Sequence, residues 1–303
     1  MELRHIRYFL AVADAKSFTY AADALGISQP PLSMQIRDLE KEVGAVLFHR
    51  LPRGVELNAA GEEFYKNIHE IPHLIERATL SSRMASRGEL GRLKVGFTSS
   101  STFNPIVTMG IKNFKDQYKN AILKIDEAHT DSLIQRVNNG SIDIAFVRAE
   151  KSVIEETFDT LDINLTIQEK LSLVTSVNTV FPPQEELCVK QLSDRELILC
   201  PREYSVHMYE TIMNIFDKAG CSPLMKQTTP QISSIINLVS TGLGYSIVPD
   251  SMRSIFSHMK GIQFYTIKDD EAYVPLSLVS RRYERSVMVK NFIESIVKMH
   301  KET

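Results

Sequence analysis

The chain has 303 residues, 43% apolar and 24% charged, with a formal charge of −2, a composition that predicts two or three folded units rather than one ordinary domain. The near-neutral balance excludes a global basic field that draws in nucleic acid, so any nucleic-acid reading must rest on local pattern. No apolar run reaches the roughly 18 residues needed to span a bilayer, and MELRHIRYFLAVADAKS lacks the apolar block of a secretory signal, so a cytoplasmic location without a membrane role is expected.

Residues 1–58 hold three short helical patterns. Leu3, Ile6, Phe9, Leu10 and Ala13 mark one face of the first. Ser17 is a candidate cap of the second, where Phe18, Ala21, Ala22 and Leu25 recur at helical spacing and Gly26 ends the run. Only Ile27 separates that glycine from Ser28, the candidate cap of a third helix. Pro30 and Pro31 fall in its first turn, where a missing amide costs nothing, and Leu32, Ile36, Leu39 and Val43 form its buried stripe. Two helices joined through a tight glycine turn are the helix-turn-helix pattern. Val46 to Phe48, a Pro52–Gly54 turn and Val55 to Leu57 then read as a β-hairpin wing carrying Arg50 and Arg53.

Asn58 opens a further helix. In it Phe64, Ile68, Ile71, Ile75 and Ala78 alternate at steps of four and three, a short heptad seam that predicts self-association, with Pro72 predicting a kink or a break. The segment SRGELGR reads as a linker. From Arg92 onward strands and helices alternate: RLKVGFT, Phe103–Tyr118, ILKIDEA, Ser132–Asn139, IDIAFV, LSLVTSV, LILC, Val206–Ala219, Gln231–Thr241, YSIVP, PLSLVS and a last helix from Glu284 to His300. This order predicts parallel sheet covered on both faces, arranged in two α/β lobes.

On the third helix the apolar stripe leaves Gln29, Pro30, Ser33, Met34 and Arg37 near the outer face. Gln bonds adenine edges, Ser bonds bases or phosphates, and Pro or Met touches a thymine methyl. Arg50 and Arg53 would reach phosphate or minor groove. Local charge gives no support: residues 1–60 hold seven basic side chains (Arg4, Arg7, Lys16, Arg37, Lys41, Arg50, Arg53) and seven acidic ones (Glu2, Asp14, Asp23, Asp38, Glu40, Glu42, Glu56). The spacing also fits a small helical domain that binds protein.

The segment SFTYAADALGISQPPLSMQIRDLEKEVGAVLFHR resembles the DNA-binding signature of LysR-type regulators, through Ala21-Ala22, Leu25, Ser28-Gln29-Pro30, Leu32-Ser33, Gln35-Ile36, Leu39-Glu40, Gly44, Leu47-Phe48 and Arg50. NAAG at Asn58–Gly61 is similar to the family's exit from wing to linker helix, and SIDIAF and GLGYSIVP extend a looser likeness over the rest of the chain. The resemblance implies a homo-oligomer, dimer or tetramer, that binds double-stranded promoter DNA and works with RNA polymerase. Base and phosphate contacts would fall on Ser28, Gln29, Pro30, Ser33, Met34, Arg37, Arg50 and Arg53. Met34 stands where many relatives carry a polar or basic residue. The opening MELRHIRYFLAV, PPLS and MNIF resemble members that respond to aromatic-pathway compounds such as benzoate or muconate.

The implied organisation is an all-α winged helix-turn-helix over 1–58, a linker helix and hinge over 59–91, and two lobes of periplasmic-binding-protein type over 92–303. Lobe I takes 92–161 and 268–303, and lobe II takes 162–267. Thr98 to Thr102 follow the first regulatory strand and Thr130 follows the second. Ligands collect beyond strand C-termini in such sheets, and free helix amides favour anions there. Each of these hydroxyls alone also fits a plain helix cap; the resemblance implies an effector, with a small carboxylate the natural guest, in the cleft between the lobes at Ser99, Ser100 and Thr130, faced by Val206, His207 and Met208 from the other lobe. Arg148 either joins them or makes a hinge salt bridge.

Other constellations are weak. The eight histidines show no metal spacing and no G-x-S-x-G elbow is present, so no metal, cofactor or enzymatic activity is expected. Cys188, Cys200 and Cys221 are widely spaced, which fits a reducing compartment; redox sensing by two of them is the lesser alternative to buried thiols. A solute-binding protein without a DNA role is the competing reading, and the missing secretory signal weighs against it.

Overall fold

The computed structural model describes residues 1–52, 54–179, 181, 186–269 and 272–302. The chain divides into two compact units, Met1–Arg83 and Met84–Thr303.

The first unit contains helices α1 (Leu3–Ala15), α2 (Phe18–Leu25) and α3 (Gln29–Val43), strands β1 (Phe48–Leu51) and β2 (Gly54–Leu57), then α4 (Ala59–Ile68) and α5 (Ile71–Ser86) as far as Arg83. Its core departs from the expected stripes at two places: on α1 Ile6, Phe9 and Val12 are buried while Leu3 is exposed, and on α3 Leu32, Ile36 and Leu39 are buried while Val43, in the last turn, is exposed. Phe9 sits at the centre, its ring 5.2 Å from Phe48 and 5.1 Å from Phe64. The hairpin is bonded to the turn after α1. Lys16 adopts a left-handed φ of 50°, and its carbonyl accepts the Val55 amide at 3.0 Å. A Cβ on Gly54 would stand 2.7 Å from that carbonyl, and Gly54 itself has φ 127°, so only glycine fits there. The first wing strand starts at Phe48 rather than Val46. Glu40 takes the Leu47 amide at 2.8 Å and the Leu47 carbonyl accepts from Asn58, so Val46 and Leu47 are held outside the two-stranded ladder.

Two helices replace the single linker helix. α4 ends at Ile68, α5 begins at Ile71, and Pro72 lies in the first turn of α5, where it breaks no helical hydrogen bond. Phe64, Ile68 and Ile71 pack into the core of their own unit, while Ile75 and Ala78 are exposed, as are Leu74 and Leu80. The heptad seam is therefore split: its first three residues serve the fold and its last two face outward.

The second unit runs β3 (Gly91–Phe97), α6 (Pro105–Gln117), β4 (Ala121–Glu127), α7 (Thr130–Asn138), β5 (Ile144–Val147), α8 (Lys151–Thr157), β6 (Leu161–Ser176), β7 (Glu186–Leu187), β8 (Glu196–Leu199), α9 (Val206–Lys218), β9 (Leu224–Thr228), α10 (Ile232–Ser240), β10 (Ser246–Pro249), α11 (Ser251–Phe256), β11 (Ile262–Ile267), β12 (Tyr273–Arg281) and α12 (Val287–Glu302). The main sheet orders its strands β4-β3-β5-β12-β6-β11-β7, with β10 also on β6 and a separate β8-β9 pair. It is mixed rather than parallel. β3 pairs in parallel with β4 and β5, whereas β12 and β10 run antiparallel to β6. The long β6 joins the lobes: Leu161–Lys170 pairs with β12, and Leu171–Ser176 with β10 and β11. The lobe boundary thus falls inside β6 and not at 161/162. The polar run INLTIQEK conceals that strand in the sequence. The expected linker SRGELGR is ordered against the second unit, where Asn291 donates to the Arg87 carbonyl at 2.9 Å.

Candidate functional site

In the first unit the turn between α2 and α3 presents an exposed helix start. Gly26 closes α2 in a left-handed conformation, with its amide on the carbonyls of Ala22 and Asp23. Ser28 holds the cap position of α3, but its side chain makes no capping bond. Ser28, Gln29, Pro30, Met34 and Arg37 are exposed, and Ser33 is half-buried, accepting from Gln29 Nε2 at 2.9 Å. Arg50 is exposed on β1, its guanidinium 5.8 Å from the centre of the Phe18 ring. Arg53 lies outside the described residues. Several acids that cancel the local charge are engaged internally: Glu40 on the Leu47 amide, Asp14 on the Tyr65 hydroxyl at 2.9 Å, and Glu42 on the chain's amino terminus. Asp14 holds the Tyr65 phenol above its ordinary range through that hydrogen bond and its charge. Arg37 and Arg50 make no ion pair among the described residues, so a zero sum coexists with exposed cationic side chains beside the helix start.

In the second unit a cavity of about 290 Å³ lies between the lobes, near the lower end for small-molecule sites. Thr98, Ser99, Ser100 and His129–Thr130 line it from lobe I; Tyr204, Ser205, Met208, Gln231 and Ser246 line it from lobe II. Leu199, Ile232, Ile235, Ile247 and Val248 supply an apolar wall, and among the described residues no lysine or arginine contributes. Two features of the wall bear on polar guests. Thr98 Oγ1 and Ser246 Oγ, on residues that line it, are buried without a hydrogen-bond partner among the described residues, a costly arrangement for a hydroxyl. Three helices also start at the wall with their cap side chains unused: α7 after His129, α9 after Ser205 and α10 after Gln231. Their first amides have no helical acceptor, and the helix dipoles add partial positive charge.

Beneath the floor lies a buried ion pair. Arg148 is 1% exposed and donates from Nη1 to Glu169 Oε2 at 2.7 Å. It also donates to the Ser100 carbonyl at 3.2 Å and Ser100 Oγ at 3.3 Å, while its amide donates to Thr130 Oγ1 at 3.3 Å. Glu169 further accepts from Asn104 Nδ2 at 3.0 Å and from the Ser251 amide at 3.2 Å. Burial alone would raise the Glu169 carboxyl, but the Arg148 charge and these hydrogen bonds outweigh it and hold the group below the ordinary carboxylate range.

Of the residues expected at the effector site, Ser99, Ser100, Thr130 and Met208 meet at the cavity. Arg148 does not line it: its guanidinium is turned under the floor by Glu169. Val206 also lies off the wall, and His207 faces a neighbouring cavity with Asp131 and Phe158, because adjacent residues on one helix turn point to different sides. Sequence patterns missed His129, Gln231 and Ser246. Helix caps are marked by residues such as Ser and Asn, and His and Gln carry no such signal. Cys200 also lines the cavity, and burial pushes its thiol up to about 11. All three cysteines are free. Among the described residues no cluster of His, Cys, Asp or Glu is placed to hold a metal ion, and no helix is long and apolar enough to cross a membrane.

Residues 3–62 match the bacterial regulatory helix-turn-helix proteins of the LysR family, and residues 86–301 match the LysR substrate binding domain. The chain belongs to the LysR family. It is a DNA-binding transcriptional regulator with an effector-binding domain, and its relatives are named as regulators rather than enzymes. The regulator BudR of Raoultella terrigena is 35% identical, over 97% of this chain and 99% of that one. BenM of Acinetobacter baylyi is 29% identical, over 98% and 95%. The crystal structure of CbnR, a LysR-family regulator, has a TM-score of 0.86 at 27% identity, covering 98% of this chain and all of that one; CbnR with its target DNA matches equally well.

Proposed function

We propose that this regulator senses a small carboxylate in the lobe cavity and converts its binding into altered promoter occupancy. The observation that carries the reading is the meeting of three uncapped helix starts and two unpartnered hydroxyls on one apolar-walled cavity. The carboxylate oxygens take the helix amides and the hydroxyls of Thr98 and Ser246, and the hydrocarbon part lies on Leu199, Ile232 and Ile235. An aromatic-pathway acid satisfies both halves, and the sequence likeness to aromatic-responsive members supports that class. The effector changes DNA binding to the extent that it prefers one arrangement of the lobes over another.

On DNA, Ser28, Gln29, Pro30, Ser33, Met34 and Arg37 read the major groove, and Arg50 and Arg53 hold phosphate or minor groove. The exposed start of α3 supports this, as does the complex of its relative CbnR with target DNA. Self-association through the exposed Ile75 and Ala78 of α5 presents two such units to a palindromic site, and RNA polymerase is the downstream partner.

The test is footprinting on the intergenic region upstream of the protein's own gene, with wild type and Arg50→Ala, with and without benzoate. Specific protection that benzoate extends or shortens is expected. Arg50→Ala should bind several-fold more weakly with a shallower salt dependence, because one phosphate contact is lost. Protection that no small carboxylate alters, under conditions where the carboxylate binds, would refute the coupling.

A further inference from the structure

We infer that the crevice between α7 and α8 is a second ligand site, shaped for a small organic cation with an apolar body, such as an arylalkylammonium. This site stands whether or not the larger cavity takes a carboxylate. The crevice holds about 240 Å³, below the usual range for drug-sized guests, so its guest is small. Its floor is apolar. Ile134 of α7 and Ile154 of α8 are buried there, and Phe158 follows the end of α8. A hydrocarbon guest seated on that floor takes apolar surface out of water.

The polar groups around the floor are acceptors. Asp131, in the first turn of α7, brings a carboxylate to the rim, and among the described residues no lysine or arginine lines the crevice. Asp131 makes no ion pair or side-chain hydrogen bond among the described residues. The Thr157 hydroxyl donates its hydrogen to the Val153 carbonyl at 2.8 Å, which leaves the oxygen lone pairs for a guest's N–H. α8 ends at Thr157, and the last carbonyls of a helix lack helical donors and carry partial negative charge. The basic residue of α8, Lys151, is at the opposite end and pairs with Glu155 at 3.6 Å. An acid in a first helical turn is ordinary by itself. Here an uncompensated carboxylate, the end of a second helix and an apolar floor meet in one crevice.

His207 of α9, half-buried, closes the crevice from lobe II, while its neighbour Met208 lines the larger cavity; on α7, Asp131 and Thr130 divide in the same way. The two cavities therefore stand back to back across the first turns of α7 and α9. A guest in the crevice touches both lobes, which is the contact a ligand needs to favour one arrangement of them.

The test is calorimetric titration of the full-length protein with benzylammonium chloride at neutral pH, where the amine is protonated. Benzyl alcohol is the uncharged comparison of the same shape. Wild type should bind the ammonium about fivefold more tightly than the alcohol, the scale of one partly exposed ion pair. Asp131→Asn should bind the two equally, at the level of the alcohol. Val153→Phe, at the exposed rim, should fill the crevice and block both ligands while unfolding at the wild-type temperature. Ser246→Ala, in the larger cavity, should leave the ammonium affinity unchanged. Absence of saturable benzylammonium binding to wild type overturns the inference. So does an affinity that the alcohol matches, that Asp131→Asn leaves intact, or that Ser246→Ala weakens as much as Asp131→Asn does.

Discussion

Helix α4 begins with its amides occupied, and helix α7 begins with them open. At α4, Asn58 Oδ1 accepts the Gly61 amide at 2.8 Å while Asn58 Nδ2 donates to the Val46 carbonyl at 2.7 Å, so one side chain caps the helix and fixes the end of the wing. α2 and α6 are capped in the same way by Ser17 and Asn104. At α7, α9 and α10 the cap residues His129, Ser205 and Gln231 leave the amides unused, and all three border the cavity. α3 is the corresponding case in the first unit, with Ser28 unbonded and facing outward. The short α8 also lacks a side-chain cap, so an open start is not by itself a site; the proposed effector and DNA sites are the places where open starts meet a cavity or an exposed face.

This contrast breaks most forcefully at Glu169, which supplies from β6 an acceptor for the first amide of α11 and also neutralises Arg148. Glu169→Leu leaves a guanidinium buried without a counter-charge, and the second unit should lose about 3–5 kcal/mol, read by guanidinium unfolding followed by circular dichroism. Because the folded Glu169 carboxyl titrates below its unfolded value, its stabilisation is complete above the ordinary glutamate value of roughly 4.3. It is lost as the pH falls through the lower folded value. The acid limb of the wild-type stability profile should therefore be flattened in the variant.

A smaller effect separates working caps from open ones. Asn58→Ala should cost about 1 kcal/mol or somewhat more, since both of its bonds are lost. Ser28→Ala should leave stability within about 0.5 kcal/mol while weakening DNA binding several-fold in a gel-shift titration. If Ser28→Ala destabilised the fold as much as Asn58→Ala, the two starts would not differ. The most pointed change is in the opposite direction: Gln231→Asp gives α10 the cap it lacks. Thermal unfolding should show a gain of up to about 1 kcal/mol, and benzoate binding should weaken at least tenfold, because the new carboxylate occupies the amides that the effector needs.

The same contrast explains what the sequence disclosed. Helices α1 to α3 were legible from apolar spacing and glycine punctuation, and Ser17 and Asn58 were legible as caps because Ser and Asn use short side chains to bond local amides. The cavity was half legible. Ser99, Ser100 and Thr130 follow strand ends and have hydroxyls, but His129 and Gln231 announce nothing at a helix start. Ser246 lies inside an apolar strand whose burial reads as core. Arg148 was left between cleft and hinge, and only the three-dimensional approach of Glu169, 21 residues later, decides it. The long β6 was half hidden because Leu161–Lys170 packs on β12 through alternating polar and apolar residues, and the apolar run expected of a central strand is confined to its second half.

The most direct test of anion selectivity at the cavity is a paired titration of benzoate and benzamide into full-length wild type and Ser246→Ala, at one pH at which benzoate is ionised. The two ligands share a ring and differ in charge at the group that would meet the open amides. Wild type should prefer benzoate by at least about tenfold, the equivalent of roughly 1.4 kcal/mol, and Ser246→Ala should lose benzoate affinity while unfolding at the same temperature. Equal binding of the two ligands, with Ser246→Ala unchanged, would contradict the claim that these open helix starts form an anion-selective effector site.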